Sequence, residues 1–128
     1  MKIMGMIMVV LLVVLFTSAT VNANEVRVVK MKCTGYCVCT KCCGPNACGL
    51  TSTGKDARKT MGIAADPKLL PYKTKLNVPG IGVMTVDDTG GAMRQDAKKG
   101  ICHIDIRFAS HEDALKFGVK WLDVKIVN

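Results

Sequence analysis

The chain has 128 residues, a formal charge of +8 and only 5% aromatic residues. That length supports one domain. Without a dense Lys/Arg block or aromatic surface for stacking, the charge does not point to nucleic acid.

Lys2 is followed by Ile3 to Phe16, a run without a polar side chain, and then by the small-residue triplet Val21-Asn22-Ala23. A positive start, an apolar core and small residues at −3 and −1 predict a secretory signal at 1–23. The alternative, a retained anchor, needs about 20 apolar residues to span a bilayer. Cleavage after Ala23 leaves an exported, monomeric domain at 24–128. Its basic surplus suits an anionic cell envelope, or simply a solvated surface.

All seven cysteines follow the signal: Cys33, Cys37, Cys39, Cys42, Cys43, Cys48 and Cys102. In a small exported domain disulfides are the expected state, and an odd count leaves at least one thiol unpaired. The alternative is a zinc thiolate cluster of Cys37, Cys39, Cys42 and Cys43, although adjacent cysteines are not a common zinc spacing. No connectivity follows from the spacing.

Val26 to Met31 is rich in β-branched residues and reads as the first strand. Residues 37–60 collect glycine, proline, asparagine and most cysteines, which predicts a long cysteine-rich loop, densest at 33–48. Met61 to Ala65 is a short apolar run stopped by Asp66-Pro67. Thr74 to Val78 and Gly82 to Val86 predict a hairpin around Pro79-Gly80. Asp88-Thr89-Gly90-Gly91 reads as a tight turn.

Ile101 to Phe108 alternates, with Ile101, His103, Asp105 and Arg107 on one face and Cys102, Ile104, Ile106 and Phe108 on the other. Asp105 is therefore expected to point away from the core, toward a groove or solvent. Ser110 is the expected N-cap of a short helix with Glu112 and Asp113 in its first turn. Ala114, Leu115 and Phe117 are its expected buried side, and Gly118 its stop. Trp121 to Val127 closes the chain. About six strands with one short helix predict a mainly β, compact barrel.

Neither His103 nor His111 has a nucleophile at a motif spacing, and Ser110 is accounted for as a cap. The carboxylates Asp66, Asp88 and Asp105 remain; each taken alone is more often a turn former than an acid catalyst.

Together they carry a resemblance. Asp66-Pro67, Pro71-Tyr72-Lys73-Thr74, Asp88-Thr89-Gly90-Gly91-Ala92-Met93 and Ile104-Asp105-Ile106 resemble the 3D (three-aspartate) domain. Ser110 to Leu115 and Phe117-Gly118 continue the match. Tyr36-Cys37-x-Cys39-x-x-Cys42-Cys43-Gly44 is similar to the entry segment of exported members.

The resemblance implies a six-stranded double-psi β-barrel, similar to the catalytic domain of membrane-bound lytic transglycosylase A. It implies cleavage of peptidoglycan between N-acetylmuramic acid and N-acetylglucosamine to leave a 1,6-anhydro end, without a cofactor. Asp105 matches the acid, which protonates the leaving oxygen and takes back a proton from the attacking hydroxyl. Asp88 would raise its pKa by like charge, and Asp66 would organise the site. Thr89, Gly90 and Gly91 would meet substrate. The stretch from Arg94 to His103 is longer than in related sequences, and its Lys98 and Lys99 would add cationic contacts or belong to a surface insertion. A non-catalytic wall-binding module on the same barrel and a disulfide-stapled toxin-like protein are the alternatives.

Overall fold

Met31 and Cys33 alternate with Lys30, Lys32 and Thr34, so one face of the first strand is apolar and fully buried. This strand, β1 (Arg27–Tyr36), is longer than its β-branched start suggested because it serves two partners. Its first part pairs antiparallel with the last strand, from Arg27↔Ile126 to Cys33↔Lys120. Its second part pairs parallel with β5, from Lys32↔His103 to Tyr36↔Arg107. The computed structural model describes residues 26–127, so the signal and its cleavage site lie outside the described residues.

The remaining elements are α1 (Thr40–Cys43), β2 (Ile63–Ala64), β3 (Lys75–Val78), β4 (Gly82–Asp88), α2 (Gly91–Lys98), β5 (His103–Arg107), α3 (His111–Phe117) and β6 (Lys120–Val127). The strands close a six-stranded barrel in the order β1-β5-β2-β4-β3-β6. β1/β5 and β2/β4 are parallel, the other neighbours antiparallel. Inward-facing Met31, Cys33, Ile63, Leu76, Val78, Val86, Ile104, Ile106 and Val124 fill the interior, as a barrel this small requires.

The expected hairpin is present. Ile81 N donates to Val78 O at 3.0 Å, with Pro79 preceding Gly80 at φ +77°, the conformation a type II turn demands of its third residue. Ser110 caps α3 as expected, its Oγ accepting from Asp113 N at 3.1 Å. Leu115, however, is 68% exposed. Ala114 and Phe117 share the inner face at three-residue spacing, and Phe117 packs on Phe108 with ring centroids 5.4 Å apart. Two further short helices stand where the sequence suggested only loop and turn. α1 lies within the cysteine-rich segment, and α2 starts straight after the Asp88-Thr89-Gly90 corner, anchored by buried Met93 against Tyr36 and Ala64. Of the stretch from Arg94 to His103, residues 94–98 thus belong to this packed helix and His103 begins β5.

The alternation of β5 correctly sends Ile104 and Ile106 inward. Its other face is covered too, which alternation could not show: His103 is 6% and Arg107 1% exposed. Helix α2 lies over His103, with Asp96 Oδ2 2.8 Å from His103 Nδ1. Segment 60–62 lies over Arg107, whose Nε donates to Thr60 O at 2.8 Å. Arg107 also grips Asp87 with both arms, Nη1 to Oδ1 at 3.0 Å and Nη2 to Oδ2 at 2.7 Å. A Cβ placed on Gly62 would collide with both members of this pair. Gly62→Ala is therefore expected to cost about 1–3 kcal/mol, read as a lower urea midpoint with an unchanged slope.

Candidate active site

Barrel closure brings four strands side by side at one end. Ala64 on β2 pairs with Asp88 on β4 on one side and Asp105 on β5 on the other. Thr34 on β1 is the register partner of Asp105. Two carboxylates therefore flank a single methyl group, and a larger residue at position 64 would fill the space between them. The cleft at this end has a volume of about 460 Å³. Asp88, Thr89, Gly90, Gly91 and Asp105 line it, and Cys42 and Cys43 of α1 stand on its other wall.

The two acids sit in opposite environments. Asp88 Oδ1 accepts from Ser52 N (2.9 Å), Ser52 Oγ (2.7 Å) and Thr89 N (2.9 Å), and Oδ2 accepts from Tyr36 OH (2.9 Å). Burial alone would raise its pKa, but these donors outweigh burial and hold it below the ordinary carboxylate value. Among the described residues Asp105 has one donor, Thr34 Oγ1 at 3.0 Å from Oδ1. Burial, with the Asp88 charge adding to it, pushes Asp105 up to about 6.

A polar chain runs on behind Asp105. Thr34 Oγ1 is 2.7 Å from His103 Nε2, and Lys32 Nζ donates to Asp96 Oδ2 at 2.9 Å. Burial, with Lys32, lowers the His103 pKa against the pull of Asp96, so the ring is neutral at pH 7. A proton on Nδ1, facing Asp96, leaves Nε2 to accept from Thr34. The Thr34 hydroxyl has one proton: donated to Asp105 Oδ1 it opposes the burial that raises this acid, and donated to His103 Nε2 it leaves Asp105 without that donor.

The other sequence-derived candidates lie elsewhere. Asp66 is buried and caps its own turn, Oδ1 accepting from Lys68 N at 3.0 Å. It lines an adjoining groove of about 550 Å³ with Lys68, Arg94 and Lys98, which meets the first cleft at Gly91. Lys99 ends α2, exposed, and lines neither. All seven cysteines are free thiols. Cys37, Cys39 and Cys42 converge with His111, whereas Cys43 turns away and donates to Cys37 O at 3.2 Å.

The family model described as the 3D domain matches residues 61–128. The chain belongs to the 3D domain family. Two relatives come from Bacillus subtilis (strain 168). The protein named "Cell wall-binding protein YocH" is 39% identical over 83 residues, covering 62% of this chain and 27% of that protein. The protein named "Putative cell wall shaping protein YabE" is 30% identical over 108 residues, covering 84% of this chain and 25% of that one. The chain spans about a quarter of the length of these curated relatives. The 3D domain match contains Asp66, Asp88 and Asp105 but begins after Thr34, Tyr36 and Ser52, the residues that hold two of these acids. Sequence reasoning missed all three. Tyr36, next to the first cysteine of the motif, was the one with a signal beside it.

Proposed function

We propose that this 3D domain acts on the peptidoglycan of the cell wall, cleaving the glycan between N-acetylmuramic acid and N-acetylglucosamine to leave a 1,6-anhydro end. The observation that carries the reading is the contrast between two acids in one cleft: Asp88 held ionised by four donors, Asp105 raised to about 6. Environments that push neighbouring carboxyls apart divide the roles of acid and stabiliser.

Asp105 gives its proton to the glycosidic oxygen as the bond from that oxygen to the muramic C1 breaks. The developing positive charge at C1 lies near the Asp88 carboxylate. The muramic C6 hydroxyl oxygen then bonds to C1, and its proton returns to Asp105. No water is activated, so the separation of acid and base that governs hydrolytic glycosidases does not constrain this site. Thr89, Gly90 and Gly91 edge the glycan cleft. Lys68, Arg94 and Lys98 in the adjoining groove suit carboxylates of the peptide stem, with Asp66 shaping the turn that carries Lys68. The reading places the domain outside the cell, exported by the 1–23 signal.

Wall binding without cleavage is the second reading, favoured by the name of the first relative, a cell wall-binding protein. Digestion of purified sacculi separates the two. Anhydro-muropeptides in the soluble fraction are the expected result. Protein that co-sediments with sacculi and releases none makes the domain a binding module.

A further inference from the structure

Three sulfur atoms and one ring nitrogen converge around α1, and one of the four residues, Cys42, also lines the cleft of the acids. Cys37 follows the last residue of β1, Cys39 is the N-cap of α1, Cys42 lies within α1, and His111 opens α3. All four donor atoms lie within 4.8 Å of one another. Cys37 Sγ is 2.9 Å from Cys39 Sγ and 3.6 Å from Cys42 Sγ. His111 Nδ1 is 3.8, 3.5 and 3.3 Å from Cys37, Cys39 and Cys42 Sγ.

A tetrahedral zinc ion with ordinary Zn–S and Zn–N bonds sets its sulfurs about 3.8 Å apart and its sulfur and nitrogen about 3.6 Å apart. Four of the five edges, from 3.3 to 3.8 Å, fall around those lengths, and the Cys37–Cys39 edge at 2.9 Å is shorter and would open on binding. We propose that Cys37, Cys39, Cys42 and His111 form a closed structural Cys₃His zinc site.

The donor set speaks against the disulfide expected from the compartment. One bond between any two of these sulfurs would leave the third thiol and the imidazole directed at a point with nothing to hold. It also differs from the four-cysteine set considered from the spacing, because Cys43 is turned to the backbone of Cys37 and a histidine distant in sequence takes its place. A ring of four protein donors leaves no open position for substrate or water, which marks a structural site.

The surrounding structure has a use for such a tie. Helix α1 has four residues and buries none of them, so no apolar face anchors it to the barrel. The ion would join the end of β1, α1 and the start of α3. Because Cys42 and Cys43 wall the acidic cleft, and Tyr36 beside Cys37 holds Asp88, the same ion would fix one side of that cleft. This inference is independent of the reaction proposed above.

The test uses the exported chain, 24–128, purified reduced and without a histidine tag. Metal analysis is expected to find one zinc per chain. Cobalt(II) in its place is expected to give the intense visible bands of a tetrahedral thiolate site, and added zinc to raise the melting temperature of metal-free protein. Cys39→Ser, Cys42→Ser and His111→Ala should each lose stoichiometric metal, and Cys43→Ser and Cys48→Ser should keep it. Reduced wild type that takes up neither zinc nor cobalt overturns the proposal, as does a native disulfide among Cys37, Cys39 and Cys42. Metal kept by His111→Ala but lost by Cys43→Ser overturns the ligand set. The cobalt spectrum is read on wild type, so the result stands even where a variant fails to fold.

Discussion

Asp105→Asn is expected to remove detectable anhydro product from sacculi while leaving a folded protein. Asparagine keeps the shape and can still accept from Thr34, but it carries no transferable proton. Loss of an acid–base group typically costs about 10²–10⁴-fold in rate. The stability of the variant follows from the sign of the pKa shift. Asp105 is raised from 3.8 to about 6, so the folded state favours the neutral acid. Its stabilising contribution is present below the ordinary carboxylate range and is lost as the pH rises through about 6, where a buried group must ionise. Asparagine is neutral throughout. The variant should therefore melt no lower than wild type, and somewhat higher above pH 6.

The same shift sets the pH profile of the wild type. Protonated Asp105 is the competent form, so activity should fall as the pH rises past about 6. Asp88→Asn removes the like charge that adds to the shift, and the alkaline limb should move to lower pH. The move is partial, because burial is the larger cause and remains. Asp66→Asn keeps the acceptor for Lys68 N and, lying in the adjoining groove, should leave the pH profile where it is. A folded Asp105→Asn protein with full activity removes Asp105 from the mechanism.

Arg107→Met is expected to be the most destabilising single change in the barrel. It strands the Asp87 carboxylate, only 3% exposed, without its two charged donors. It also takes a donor from Tyr36 OH and another from Thr60 O. Removing one partner of a buried pair costs about 3–5 kcal/mol, a large part of the roughly 5–15 kcal/mol that holds a domain together. Equilibrium urea unfolding measures the loss. Arg107→Lys should not restore it, because a point charge cannot replace the bidentate fork. Replacing both members by apolar residues of similar volume, Arg107→Met with Asp87→Leu, should recover much of the stability. A single variant as stable as wild type would show that the pair is not what closes this end of the barrel. Loss of activity is expected as well, since the Tyr36 hydroxyl that donates to Asp88 also accepts from Arg107 Nη1.

Local chemistry in the chain was enough to place the hairpin at Pro79-Gly80, the cap at Ser110 and the inward face of Ile104 and Ile106. Each is a short-range matter: a backbone angle that proline and glycine supply, an oxygen three residues from a free N–H, a period of two. The three aspartates were legible too, since they stand in distinctive local motifs. What surrounds them was not. Alternation says which side of β5 a residue faces, but not that α2 and segment 60–62 would cover the side bearing His103 and Arg107. Thr34, Tyr36 and Ser52 are ordinary residues in sequence, 71, 52 and 36 positions from the acids they hold. Strand order, with β1 beside β5 and β2 between β5 and β4, brings Thr34 and Tyr36 within bonding distance, and the turn at 51–54 folding back onto the end of β4 brings Ser52. His111 has the same history: in the chain it is one residue past a helix cap, and in the barrel it faces three cysteines more than sixty positions away. Hydrogen bonding and metal ligation act over a few ångströms whatever the sequence separation, so these partners emerge only once the barrel has closed.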